Sequence, residues 1–298
     1  MKQRSDKFKA YLAWAAICII WGTTYLAIKI GVTDLPPMLF AGFRWLSAGP
    51  ILLAFFVLRK CKMPSLREIG QLAIVGILLL GIANGLVVVA EQWLPSGLTA
   101  LLITTLPFWV VLLESLIPQG IKLNLRVVFG MITGFAGVSL ILYNNLNDVF
   151  NVDYLLGILC LLVAVISWAS GSLYSKYKKV SVNPFVGASI QMIIAGLLQV
   201  IVGLLLGEYE RFSFTTESFA AFAYLFIAGS MIAYGSYIYA ISHLPVSFVT
   251  TYAYINPVIA LVLGWAVLGE ELNEEIIFAS AIILIGIYLV KKGAVQKV

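Results

Sequence analysis

The sequence predicts an all-α polytopic membrane protein of ten transmembrane helices. They form two inverted five-helix repeats, with the N- and C-termini cytoplasmic. Three observations predict this. The 298 residues are 61% hydrophobic and 11% charged, with a mean hydropathy of +1.01, where a soluble domain holds about 45–50% apolar and about 25% charged residues. Apolar runs of roughly 20 residues recur along the whole chain, the length that crosses about 30 Å of hydrocarbon. A proline-framed segment occurs twice, once in each half: LPSGLTALLITTLP at 94–107 and LPVSFVTTYAYINP at 244–257.

Taken in order, the spans are expected at about 11–31, 38–58, 69–90, 97–117, 127–143, 155–175, 184–206, 219–241, 247–268 and 276–290. Break signals fall at or between their ends: Pro36-Pro37, Pro64, Pro95, Pro118, Asn144-Asn145, Asn183-Pro184 and Gly269. The first span follows Lys2, Arg4, Lys7 and Lys9, as a signal peptide would. It runs on to Gly31 with no small-residue cleavage site, so an uncleaved helix is expected. Cys18 and Cys160 lie in apolar segments and Cys61 in a basic loop, a pattern without a disulfide framework or metal site.

Charge sets the orientation. With ten spans, every Lys and Arg except Arg211, Lys29 and Arg44 falls in the terminal segments or the loops on their side. Every acid except Asp6, Glu68 and Glu114 falls in or beside the opposite loops. Basic residues in short loops mark the cytoplasmic side. The net charge of +5 is thus a topology signal, and no nucleic-acid partner is implied.

The halves also match by position. An offset of 147 aligns Trp21 with Trp168, Lys29 with Lys176, Pro37 with Pro184, Arg44 with Gln191 and Gly49 with Gly196. An offset of 150 aligns Asn84-Gly85 with Tyr234-Gly235, Leu94-Pro95 with Leu244-Pro245, and Pro107 with Pro257; an offset of 149 brings Gly137 onto Gly286. The repeats are therefore read as 1–147 and 148–298. Five spans each is odd, so the second half enters the membrane with the opposite orientation, the arrangement that lets two halves exchange outward and inward states.

At these residues the chain resembles the drug/metabolite transporter superfamily, specifically exporters of the EamA type. The stretches AEQWLPSGLTALLITTLPFWVVLLE (90–114) and YINPVIALVLGWAVLGEELNEEIIFASAIILIGIYLV (254–290) carry the likeness. So do Trp21-Gly22, Pro95–Gly97, and Gly269-Glu270 before the last helix. The resemblance implies ten helices in two inverted repeats and secondary transport of small metabolites, often amino acids or related compounds, usually outward. The second copy departs at Pro245–Ser247, where Pro-Val-Ser lacks the glycine.

Candidate substrate-binding residues follow, each with its plainer reading. Pro107 and Pro257 lie mid-span, where a kink frees backbone carbonyls for a midplane site or serves packing alone. Thr104-Thr105 and Asn256 line such a cavity or bond the freed carbonyls. Asn84 and its counterpart Tyr234 face either a neighbouring helix or the cavity. Trp21 and Trp168 lie away from the interfacial belts, as pathway walls or as packing; Tyr25 shares the face of Trp21. Arg44 either meets an anionic group, such as a substrate carboxylate, or makes a structural ion pair, or reaches outward to the interface. Glu91 pairs with Arg44, titrates as a coupling site, or is a structural acid. Glu114 reads as interfacial, Lys29 and Lys176 as anchors snorkelling on opposite sides, and His243 as a surface residue. Tyr234, Tyr237, Tyr239, Tyr252 and Tyr254 make the second half's share of the region aromatic.

The expected cavity lies between the halves, lined from spans one, three, four, six, eight and nine. With no Walker loop, H-E-x-x-H, G-x-S-x-G or dinucleotide motif, the reading is a non-enzyme carrier without cofactor. It is expected as a multi-pass protein of the cell (inner or plasma) membrane that meets a small-molecule substrate and the lipid bilayer. A homodimer stays open. The alternative is an intramembrane enzyme or lipid-handling protein.

Overall fold

In a bilayer no water is available for the backbone, so each crossing segment must satisfy its own peptide groups, and a helix does this. The computed structural model describes residues 2–118, 120, 123–144, 151–178, 180–244, 249 and 251–293. Its described secondary structure is entirely helical. Ten helices follow in order: α1 (Lys2–Asp34), α2 (Pro37–Leu58), α3 (Leu66–Ala90), α4 (Ser96–Ser115), α5 (Leu125–Asn144), α6 (Val152–Tyr177), α7 (Pro184–Leu205), α8 (Thr216–His243), α9 (Tyr252–Leu268) and α10 (Glu274–Gly293). Among the described residues eight helices are long and apolar enough to span; α5 and α9 contribute shorter apolar stretches, Leu125–Leu140 and Tyr252–Leu268. The chain is a polytopic membrane protein. The expected breaks at Asn145 and Pro245, and the glycine-free start at Val246-Ser247, lie outside the described residues.

Helix ends are satisfied in two ways. Some are capped locally: Ser65 and Glu68 form a capping box on α3, Thr215 and Ser218 another on α8, and Asn151 and Asn183 cap α6 and α7. Others are capped across the bundle. Glu208 accepts from the backbone N–H groups of Met38 (3.2 Å) and Leu39 (2.8 Å) at the start of α2. Glu270 accepts from those of Ser96 (2.7 Å) and Gly97 (3.0 Å) at the start of α4. A carboxylate at a helix N-terminus is stabilised by the free donors and the dipole there.

The most extensive helix pairings are α5 on α10 and α2 on α7. Both rest on glycine. A Cβ built on Gly286 of α10 would lie 2.6 Å from the Cα of Gly134 and 2.7 Å from the carbonyl of Gly130, so the two backbones are in direct contact. Small residues permit such approach in lipid, where dispersion rather than hydrophobicity drives association.

Three helices change pitch. Residues 77–84 of α3, 225–234 of α8 and 264–268 of α9 form π-helix. Such turns leave backbone carbonyls poorly matched, and in α3 neighbours supply the donors. Gln199 of α7 donates through Nε2 to the carbonyls of Leu80 (2.8 Å) and Gly81 (3.0 Å), and Ser167 of α6 donates to that of Leu78 (2.8 Å). α4 is interrupted at Thr104-Thr105, one turn ahead of Pro107, and both hydroxyls donate to the carbonyls three residues back.

Lys29 and Lys176 are not free anchors. Lys29 donates to the carbonyls of Glu91 (2.7 Å) and Leu94 (3.0 Å), tying α1 to the α3–α4 turn. Lys176 forms an ion pair with Glu114, which also accepts from the Tyr177 hydroxyl (2.9 Å). Glu114 is 2% exposed, because α6 covers that end of α4, and the carboxylate faces a cation. His243 is exposed and bonds only within its own turn.

Candidate functional site

One cavity lies in the middle of the bundle, with about 650 Å³ of empty space including its open mouth. α1 presents Trp21, Thr24, Tyr25 and Ile28 to it, residues at i, i+3, i+4 and i+7 that share one helix face. α3 contributes Ala83, Asn84 and Val87 from the end of its π turn, and α4 contributes Ile103 and Leu106 from either side of its break. α6 adds Ala164, Val165 and Trp168; α9 adds Tyr252 and Asn256, again one turn apart.

The remaining wall is Arg44 of α2. Sequence reasoning expected α8 here in place of α2. α8 instead supports the wall from behind: Ser230 accepts from Arg44 Nε at 2.7 Å, and the guanidinium lies 4.2 Å from the Trp45 ring centroid. Trp45 in turn donates from Nε1 to Asn84 Oδ1 at 3.1 Å. The polar corner of the cavity is therefore held by contacts from three helices.

Much of the rest of the lining is aromatic. Trp21 meets Trp168 edge-to-face at 5.9 Å, Tyr252 at 5.1 Å and Tyr237 at 5.2 Å between ring centroids. With its amide oriented to suit its neighbours, Asn256 donates to the carbonyls of Cys18 (2.9 Å) and Tyr252 (3.1 Å). The kinked region of α9 is thereby tied to α1.

Of the sequence candidates, Trp21, Tyr25, Arg44, Asn84, Trp168, Tyr252 and Asn256 come together at this cavity. Tyr234 does not. It is fully buried, and its hydroxyl donates to Gln191 Oε1 at 2.5 Å, because the larger side chain reaches α7 where Asn84 reaches Trp45. Thr104 spends its hydroxyl on the Leu101 carbonyl. Pro107 opens the second segment of α4 and Pro257 sits inside α9, both shaping the wall without lining it. Of the other tyrosines, Tyr237 backs Trp21, Tyr239 stacks on Phe185, and Tyr254 packs near Leu101.

Glu91 also lies off the cavity, one residue beyond the end of α3. It is fully buried, and among the described residues neither carboxylate oxygen has a hydrogen-bond partner, so of its three readings the pairing with Arg44 is not seen. Burial pushes its carboxyl well above the usual carboxylate range; Lys29 opposes this and Glu270 adds to it. Thr24, Ile28, Ala83, Val87, Ile103, Leu106, Ala164 and Val165 were missed as lining residues. For Thr24 and Ile28 the signal was present, in their helical spacing from Trp21.

Comparison with known proteins agrees with this architecture. The model of the EamA-like transporter family matches residues 8–143 and again 155–291. The uncharacterized inner membrane transporter YedA of Escherichia coli (strain K12) is 38% identical over 282 residues, covering 92% of this chain and 90% of that one. The uncharacterized transporter YoaV of Bacillus subtilis (strain 168) is 25% identical, covering 94% and 96%. A solved crystal structure superposes with a TM-score of 0.69 at 20% identity, over 96% of this chain and 99% of that one, which is a likeness of fold. With both halves matched by one family model, the chain belongs to the EamA-like transporter family.

Proposed function

We propose that the protein is a secondary transporter, and not an enzyme, that moves small amphipathic metabolites outward by alternating access. Amino acids, related compounds and drug-like amphiphiles are the solutes to test. The observation that carries this reading is the central cavity, whose walls come from α1–α4 of residues 1–147 and from α6 and α9 of residues 148–298. A solute bound there touches both halves, so rocking one against the other changes its access. The two stretches are taken as inverted repeats. Their pairing supports this, since α2 packs on α7 and α5 on α10, elements at equal places in each half. The π turns of α3 and α8 likewise occupy equal places. The name of the E. coli relative supports placement in an inner membrane.

Counterflow in liposomes containing the purified protein tests the reading. Saturable exchange of a labelled solute is expected; no exchange across amino-acid, drug, lipid and sugar-phosphate panels, from protein shown to be folded, opposes it. Pro107→Ala and Pro257→Ala are expected to change the exchange rate with little loss of folded yield, read by size-exclusion chromatography. Equal loss of yield in both would assign the prolines to structure.

Glu91 is proposed as the coupling group. Lys29 of α1 and Glu270 after α9 are the charged groups acting on it. Its raised carboxyl stays neutral at low pH and charges as pH rises through the raised value, so exchange should change across that range. Glu91→Gln, fixed neutral, should give a flat pH profile and lose uptake driven by a pH gradient. Full gradient-driven uptake by Glu91→Gln ends the proposal.

A further inference from the structure

Among the described residues, a cation lines the cavity without a counter-ion. Arg44 is 3% exposed, and no carboxylate is among the residues that line the cavity. Its Nη1 is buried with no acceptor, while Nε is fixed on Ser230. A buried charge ordinarily has a partner, because desolvation is otherwise uncompensated. The Trp45 face, 4.2 Å from the guanidinium carbon, offsets only part of that through its ring quadrupole. Arg44 is also positioned rather than loose. Ser230 holds one edge, Trp45 lies under it, and Trp45 is itself tied to Asn84.

We propose that the solute carries an anionic head, a carboxylate, that docks on Arg44, with an apolar or aromatic body against Trp21, Trp168 and Tyr252. The inference rests on the transport reading above and narrows its substrate class. A guanidinium whose Nη1 has no acceptor among the described residues can meet a carboxylate oxygen, and such charge-assisted bonds are the strong ones. The aromatic residues of the same lining supply apolar contact for the body. A cationic solute meets no opposite charge in this lining and is repelled by Arg44. The bound anion completes the buried charge, so the head contributes specificity as well as affinity.

Three probes with one body and three heads test this: hydrocinnamate, hydrocinnamamide and phenylpropylamine. Each is titrated against the purified full-length protein in detergent, read by tryptophan fluorescence and by thermal shift. The carboxylate is expected to bind about ten- to a hundredfold tighter than the amide, with the amine weakest. Arg44→Gln should erase that gap, and Ser230→Ala, which keeps the charge but loosens its aim, should narrow it. Binding of the carboxylate no tighter than the amide or amine, or none at all, overturns the inference. So does a gap that survives in folded Arg44→Gln. The wild-type comparison decides even where that variant does not fold. Counterflow separates the two readings: exchange of neutral or cationic solutes alone removes the anion and leaves transport standing. Anion binding with no exchange of any solute does the reverse.

Discussion

Gly286→Leu is expected to yield little folded protein. The Gly286 backbone lies against the Gly134 Cα and the Gly130 carbonyl, so any Cβ must push α10 off α5. The displaced atoms would be backbone, which cannot swing aside as a side chain does. Overpacking of this kind costs about 3 kcal/mol or more, near the upper end for cores. The damage should spread, because Ile283 and Ile287 of α10 share an apolar cluster with Leu101 and Phe108 of α4, which carries part of the cavity wall. Gly70→Ala is the control, since a Cβ there meets nothing within 4 Å. Thermal unfolding and size-exclusion profiles in one detergent should show collapse for the first and wild-type behaviour for the second. Equal losses would remove the close-approach explanation.

The second large effect is expected at the Glu114–Lys176 pair. The Glu114 side chain is 3% exposed and that of Lys176 is 43% exposed. Lys176→Met leaves a buried carboxylate with only the Tyr177 hydroxyl to stabilise it. Breaking a fully buried pair costs about 3–5 kcal/mol; with the lysine nearly half in solvent, about 1–3 kcal/mol is expected. Glu114→Gln should be milder, because the amide oxygen still accepts from Tyr177. The double variant should recover most of the loss, since the unpaired charge is gone. A double-mutant cycle from thermal unfolding reads the coupling directly. Additive losses would show that the pair contributes position and no electrostatic stabilisation. The contact joins α4 to α6, so exchange rates should change with stability.

Much of the fold was legible because a bilayer leaves few choices. Apolar length and the break residues place α2 and α7 within one residue of their observed ends, at Pro37–Leu58 and Pro184–Leu205. In the site, the four-residue step from Trp21 to Tyr25 puts both on one wall. What escaped depends on residues distant in sequence. The π turn of α3 takes donors from Ser167 and Gln199, and no local propensity encodes that. Arg44 is aimed by Ser230, 186 positions away. Glu114 resembles a membrane-edge acid until α6 is laid over it. Asn84 and Tyr234 occupy matching places, yet differ in reach, so only the asparagine meets the cavity.

The wide turn in α3 also acts as a phase shifter. It spreads one turn over more residues than the 3.6 of an α-helix, so everything after it is rotated relative to what came before. Asn84 is its last residue and Val87 follows one turn on; both face the cavity because of that rotation. The buried face of Leu66–Gly76 and that of Gly85–Ala90 are thus set by different registers of one helix. A single-residue deletion within 77–82 would remove no side chain of the cavity wall. It would swing Asn84 and Val87 about 100° around the axis, with their chemistry intact and their direction lost.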